Sequence, residues 1–252
     1  MTQKEWDSMD IGDDQIISVM LVIALLLLSR VRDLLDNSGL FAATITGLTV
    51  SLLGHWTWLI TLFIFLVIGS IATKWKLEEK KLLSLEEANE GLRSWKNVLA
   101  NGGAVSIMAI YNFISPGEEW IYFAAIASIS VALSDTLASE IGSLDTRTRS
   151  ITTLQSVPAG TNGGMSPTGT VAALIGAIII SIIGVIFSPE DSTISDINLL
   201  LMLTLIGWLG CQVDSLLGAL LENRGYLGKH SVNFLATFSG SLIAIIFYYQ
   251  FL

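Results

Sequence analysis

Histidine and cysteine are nearly missing from this 252-residue chain, which has two histidines, His55 and His230, and one cysteine, Cys211. A single cysteine excludes an internal disulfide, and so few imidazole and thiolate donors exclude a zinc cluster of the usual kind. Any bound metal is therefore expected to be a hard, oxygen-ligated cation, Mg²⁺ above all. Charge is scarce as well, at 14% of residues, while 52% are apolar. Apolar runs recur along the whole length, so the expected fold is all-α: a polytopic transmembrane helical bundle forming one integral membrane domain, 1–252. A basic leader is absent too. The first apolar run, Ile16 to Leu28, follows Glu5, Asp7, Asp10, Asp13 and Asp14 and has no small-residue cleavage site behind it, the wrong surroundings for a signal peptide. The net charge of −9 argues only weakly against anionic partners, since in a membrane protein the distribution of charge outweighs its sum; no nucleic-acid partner is expected.

What is present is a series of hydrophobic segments near 16–35, 39–54, 56–73, 97–114, 119–137, 170–187, 198–221 and 232–251. Each is compatible with the ~20 residues that cross a bilayer. The second is short and is joined to the third only by Gly54-His55-Trp56, so 39–73 reads either as two spans or as a re-entrant hairpin. With eight spans and the N-terminus outside, the inner connections are 30–36, 74–96, 138–169 and 222–231. They carry twelve of the thirteen basic residues, leaving only Lys4 outside. That asymmetry follows the positive-inside rule and predicts an integral membrane protein, in the plasma membrane of a prokaryote, with 74–96 and 138–169 as cytoplasmic loops. The charged stretch 76–90 reads as a solvated, partly helical loop. Two internal echoes, Ser38–Ala43 with Thr168–Ala173 and Asn97–Ala100 with Asn233–Ala236, fit a parallel four-plus-four repeat.

Two polar blocks interrupt this apolar chain: Ser134-Asp135-Thr136-Leu137-Ala138-Ser139-Glu140-Ile141-Gly142, and Gly160-Thr161-Asn162-Gly163-Gly164-Met165-Ser166-Pro167-Thr168-Gly169-Thr170. An ionised Asp135 near a span end costs ~2.5–3.5 kcal/mol unless it is paired, ligated or wetted. On a helix Asp135 shares a stripe with Ser139, and Thr136 shares the next with Glu140. The ordinary explanation is interfacial charge reaching water; the functional one is a carboxylate cluster. In the second block Ser166 is a credible N-cap and Pro167 a first helical residue. The free N–H groups of that helix start favour an anion, and glycines let the backbone approach it closely. A flexible connector with an ordinary cap is the plain alternative. No Gly-x-x-x-x-Gly-Lys-Ser/Thr pattern occurs, so a P-loop is excluded.

Asp214 and Ser215, with Gly218 a turn later, lie level with Asp135 in the seventh segment. Two aspartates from different helices suit clamping Mg²⁺ on a phosphate-bearing substrate, although a helix-packing hydrogen bond explains them too. Asp135, Glu140 and Asp214 are thus the candidate catalytic and metal-holding residues. Arg93, Asn97, Asn101 and Asn233 serve either substrate binding or helix packing, and Arg149 joins the loop residues as a phosphate candidate. The acids and loop glycines crowd one face. That placement favours an enzyme over a small-solute transporter, whose acids belong near the midplane.

The quoted blocks, with Arg149-Ser150-Ile151-Thr152-Thr153, Val157-Pro158-Ala159, Asp214-Ser215-Leu216-Leu217-Gly218-Ala219, Asn97-Val98-Leu99-Ala100-Asn101-Gly102 and Asn233-Phe234-Leu235, resemble the integral membrane family that includes phytyl phosphate kinase of plants and cyanobacteria. The resemblance covers most of the chain after residue 36. It implies a CTP-dependent kinase that turns an isoprenoid monophosphate, such as phytyl or geranylgeranyl phosphate, into the diphosphate, with CTP, Mg²⁺, the lipid phosphate and membrane lipid as partners. A looser similarity at the Asp-Thr-x-Ala-Ser block to dolichol kinase and CDP-lipid synthases keeps lipid-phosphate cytidylyltransferase activity open. Leu137 stands where the family often has Trp, Met165 where it often has Val, and the region after Asp214 is shorter than in eukaryotic relatives.

Overall fold

The computed structural model describes residues 11–85, 91–190 and 192–251. Lys4, the acidic residues Glu5, Asp7 and Asp10, and the end of the charged stretch at 86–90 lie outside them. Nine α-helices carry the described chain: α1 Ile11–Val31, α2 Asn37–Thr49, α3 Trp56–Lys74, α4 Leu77–Leu82, α5 Trp95–Ile114, α6 Glu119–Gly142, α7 Pro167–Ile186, α8 Asp196–Leu217 and α9 Lys229–Phe251. α2 runs on into a π-helical turn, Val50–Gly54, and α8 into another, Gly218–Glu222. All but α4 are long and apolar enough to cross a membrane, which makes eight candidate spans in a polytopic helical bundle. The segment 39–73 forms two separate spanning-length helices, Asn37–Gly54 and Trp56–Lys74.

Local chemistry explains the boundaries. α1 stops at Val31, short of the expected 35, because Arg32 and Asp33 turn the chain, with Asp33 in the left-handed region at φ 48°. Leu35 then pairs with the Arg93 backbone. His55 caps α3, its side chain accepting from the Thr57 amide. Burial pushes that imidazole down to about 4, so it stays neutral near pH 7. Ser166 caps α7 by accepting from the Gly169 amide, and Asp36 caps α2 by the same bond to Gly39. The Ser38 and Thr168 echo is therefore also an echo of cap geometry.

α6 is the axis of the fold. It packs against α3, α5, α7, α8 and α9 and is buried along nearly its whole length. Alanine and serine at 124, 125, 127, 128, 130, 132 and 134 keep its surface thin, and glycines on its neighbours do the same from the other side. A Cβ on Gly176 would lie 2.9 Å from the Leu133 carbonyl, and one on Gly184 2.8 Å from Ile126. Lipid tails supply no hydrophobic drive between helices, so this close small-residue packing, with hydroxyls on neighbouring carbonyls, holds the bundle. Ser134 donates to the Ala173 carbonyl at 2.8 Å and Ser241 to Ala124 at 3.0 Å.

Candidate functional site

α6 does not end at 137. The polar block continues the helix to Gly142, so Ser139 and Glu140, expected in the loop 138–169, join Asp135 on its last two turns. The chain then folds back through residues 143–166, where Arg149–Ser150 pairs antiparallel with Gly164–Met165. Asp145 fastens this connection to the start of α7. Its carboxylate accepts two bonds from the Arg147 guanidinium at 2.9 Å and one from the Thr168 hydroxyl at 2.9 Å. The Arg147 guanidinium, and next its amide, hold the Asp145 carboxyl well below the usual carboxylate range.

These elements wall a polar cleft of about 320 Å³ at one end of the bundle. The end of α6 supplies Asp135, Ser139 and Glu140. The glycine loop supplies Gly160, Thr161, Asn162, Gly163 and Gly164, and the start of α7 supplies Ser166, Gly169 and Thr170. The end of α8 adds Asp214 and Ser215, and α9 adds Asn233. The two aspartates, distant in sequence, both line this cleft, close enough for the charge of Asp135 to act on Asp214. Asn233 donates to Asp135 at 3.5 Å. Asp214 Oδ1 is buried with no hydrogen-bond donor among the described residues.

Other expected site residues fall elsewhere. Thr136 and Thr168 do not line the cleft; Thr168 is taken up by Asp145. Arg149 is outside it as well, its guanidinium donating to the Leu154 carbonyl at 3.0 Å. Arg93 and Asn97 line a separate apolar cavity among α1, α2, α3 and α5, where the Arg93 guanidinium lies over the Phe65 ring at 5.0 Å. Asn101 is buried away from the cleft lining and donates to the Asn97 carbonyl one turn back in the same helix.

Glu140 reaches the cleft wall but is engaged. Lys80 donates to Oε2 at 2.6 Å and the Thr73 hydroxyl to Oε1 at 3.0 Å. Lys80, on the stretch expected to be solvated, is 1% exposed. Lys229, Glu222, Gln212, Ser84 and Leu85 also line the cleft without having been singled out. Lys229 had a signal: it precedes Asn233 by four residues, hence one turn, on the same helical face. It is the single lysine or arginine among the described lining residues, and its charge acts on both Asp214 and Glu222.

No group of three His, Cys, Asp or Glu side chains among the described residues could hold a metal ion. Asp135 and Asp214 alone nevertheless fit Mg²⁺, which binds through one or two carboxylates and completes its octahedron with water and substrate phosphate. The orphaned Asp214 oxygen is the kind of ligand such a cation needs.

The comparisons place this architecture in a family. A model described as "Integral membrane protein DUF92" matches residues 20–241. The chain belongs to this family. Among DUF92 relatives, an uncharacterized membrane protein of Methanocaldococcus jannaschii is 34% identical over 245 residues, covering 97% of this chain and 98% of its own. One from Synechocystis is 30% identical over 218 residues, with 85% and 83% covered. Protein VTE6, chloroplastic, of Arabidopsis thaliana is 27% identical over 226 residues, with 80% of this chain and 66% of that protein covered. No solved structure matches the chain.

Proposed function

We propose that this DUF92 protein is a membrane kinase that transfers the γ-phosphate of a nucleotide, CTP, to an isoprenoid monophosphate and releases the diphosphate. The observation that carries the reading is the meeting of Asp135 and Asp214 opposite a glycine loop and a helix N-terminus, inside a bundle otherwise made for lipid. The sequence resemblance to the phytyl phosphate kinase family supports it, as does the relationship to the chloroplastic protein VTE6. The basic residues of the connections support a cleft on the cytoplasmic side, where nucleotide is available.

In this reading Asp135 and Asp214 hold Mg²⁺, which when bound spreads positive charge over the phosphate oxygens. The Gly164, Thr168, Gly169 and Thr170 amides are engaged by Thr161, Asp145 and Ser166, so the glycine loop offers phosphate a close backbone approach and α7 the positive end of its dipole, with Lys229 facing the same anions. Ser215 offers a hydroxyl at the rim, while the Thr170 hydroxyl is spent on the Ser166 carbonyl. The acceptor phosphate is already ionised at neutral pH, so its oxygen needs no general base. The protein contributes alignment and charge neutralisation. A site without histidine is adequate for that.

The test is product identity. Purified protein is given Mg²⁺, each nucleoside triphosphate in turn, and geranyl, farnesyl, geranylgeranyl or phytyl phosphate. CDP with a prenyl diphosphate supports the kinase; pyrophosphate with a cytidylylated lipid converts the reading to a cytidylyltransferase. No reaction with any pair refutes both.

A further inference from the structure

The segment that leaves α3 is fastened to the catalytic helix by a single buried lysine. α4 is bracketed by two non-glycine residues in the left-handed region, Lys76 at φ 51° and Ser84 at φ 55°, so the chain reverses sharply at each end. Between them Lys80 points inward. Its ammonium has three donors, and all three are used: Glu140 Oε2 at 2.6 Å, the Ala72 carbonyl at 3.0 Å and the Thr73 carbonyl at 3.3 Å. Glu140 is held at both oxygens, with the Thr73 hydroxyl, which also reaches the Gly69 carbonyl at 2.9 Å, on Oε1. A carboxylate so occupied is poorly placed to take a cation as well.

The other end of the strap reaches the phosphate loop. The Leu85 amide donates to the Lys80 carbonyl at 2.8 Å, which ties the leucine to the same anchor. Its side chain packs directly on Gly160, where a Cβ would have to push the leucine methyl aside, and Ser84 and Leu85 both line the cleft. A continuous path of contacts thus runs from Glu140, five residues beyond Asp135, through Lys80 and Leu85 to Gly160. We infer that Lys80 and Glu140 are positioning residues that clamp the strap 75–85 across the cleft, where Leu85 orders the glycine loop and keeps water from the transferring phosphate. The inference rests on the kinase reading and assigns Glu140 a role different from that of Asp135 and Asp214.

Water competes with the lipid phosphate for the same γ-phosphorus. Attack by the lipid oxygen breaks the bridge to the β-phosphate and yields CDP and prenyl diphosphate; attack by water yields CDP, inorganic phosphate and a proton. The ratio of CDP to prenyl diphosphate therefore reads the integrity of the strap. A merely structural ion pair changes the amount of folded protein and leaves that ratio alone.

Lys80→Met, Glu140→Gln, the double variant and Leu85→Ala are purified and assayed for both products over a range of Mg²⁺. Lys80→Met and Glu140→Gln are expected to lower transfer on the order of 100-fold, the usual consequence of an ångström of misplacement, with CDP now exceeding diphosphate. The double variant should be no worse than either single one, because the two residues act as one unit. The Mg²⁺ dependence should not move. Leu85→Ala, which leaves the ion pair intact, should raise the same ratio. A ratio unchanged in all four overturns the inference, as does loss of Mg²⁺-dependent activity in Glu140→Gln with Lys80→Met near wild type. If the wild type makes no diphosphate, the kinase reading has failed, and the clamp is tested by itself through Leu85→Cys. Labelling by a membrane-impermeant maleimide should accelerate about tenfold or more when Lys80→Met is added, against the low background of buried Cys211. Equal labelling rates overturn the clamp.

Discussion

Replacing Gly163 by alanine is a small change with a calculable outcome. The residue has φ +74°, and a Cβ there would lie 2.5 Å from the Ala219 Cβ and 2.7 Å from the Ser215 carbonyl oxygen. The backbone conformation costs an alanine roughly 1–2 kcal/mol. The collision adds more: ordinary contact needs about 3.5 Å, so the loop must back away from the end of α8 by on the order of 1 Å. It then no longer faces Asp214 and Ser215 in register. Misplacement on that scale costs on the order of 100-fold in rate, about 2.7 kcal/mol of activation free energy. Gly225 is the control. It has a similar φ of +73° but nothing within 4 Å of its Cβ position, so Gly225→Ala carries the conformational cost without the collision. Initial rates of phosphoryl transfer and thermal unfolding in detergent are measured for both. A loss of stability in Gly225→Ala, a larger one in Gly163→Ala, and a rate loss confined to Gly163→Ala are expected. Near-wild-type kcat/KM in Gly163→Ala, or an equal loss in Gly225→Ala, would refute the reasoning.

Other substitutions separate the roles. Asp135→Asn and Asp214→Asn should each abolish transfer while keeping the wild-type elution profile in size-exclusion chromatography, since each removes half of the paired carboxylate site; full activity in either removes that residue from the mechanism. Lys229→Met should raise the KM for nucleotide more than it lowers stability, because the residue is exposed at the cleft and its charge acts on the site carboxylates; an unchanged KM places Lys229 outside the phosphate site. Asp145 yields a pH prediction. Its carboxyl is depressed in the folded protein, so the stability it contributes is complete above the unfolded value and is lost as pH falls below about 4. Hydrogen exchange of the 145–150 amides, corrected for intrinsic rates, should be flat from pH 8 to 5 and rise below 4. Asp145→Asn should show the loosened state already at pH 7, and protection equal to wild type there would contradict the assignment.

Much of the bundle was legible because lipid imposes length and apolarity on every span, and Ser166-Pro167 announces the start of α7 as plainly as any cap. Boundaries were less so. α6 runs on to Gly142 because the polar block is still a good helix, and α1 stops early at a left-handed Asp33, a conformation aspartate tolerates but that the apolar run before it did not announce. Counting residues along the helices put Asp135 and Asp214 at one depth, and the cleft joins them. Burial of Lys80 was invisible, since its partner Glu140 is 60 residues away and its neighbours are charged. Arg149 shows the converse: a basic residue beside a glycine loop looks like a phosphate ligand, yet its guanidinium turns to the Leu154 carbonyl.

The central claim is best tested by following label from the γ-position of CTP into lipid. With purified protein, Mg²⁺ and phytyl phosphate, labelled prenyl diphosphate should form in the wild type and not in Asp214→Asn. Lipid that stays unlabelled across every nucleotide and prenyl phosphate tried, or that gains label only from the α-position, would contradict it.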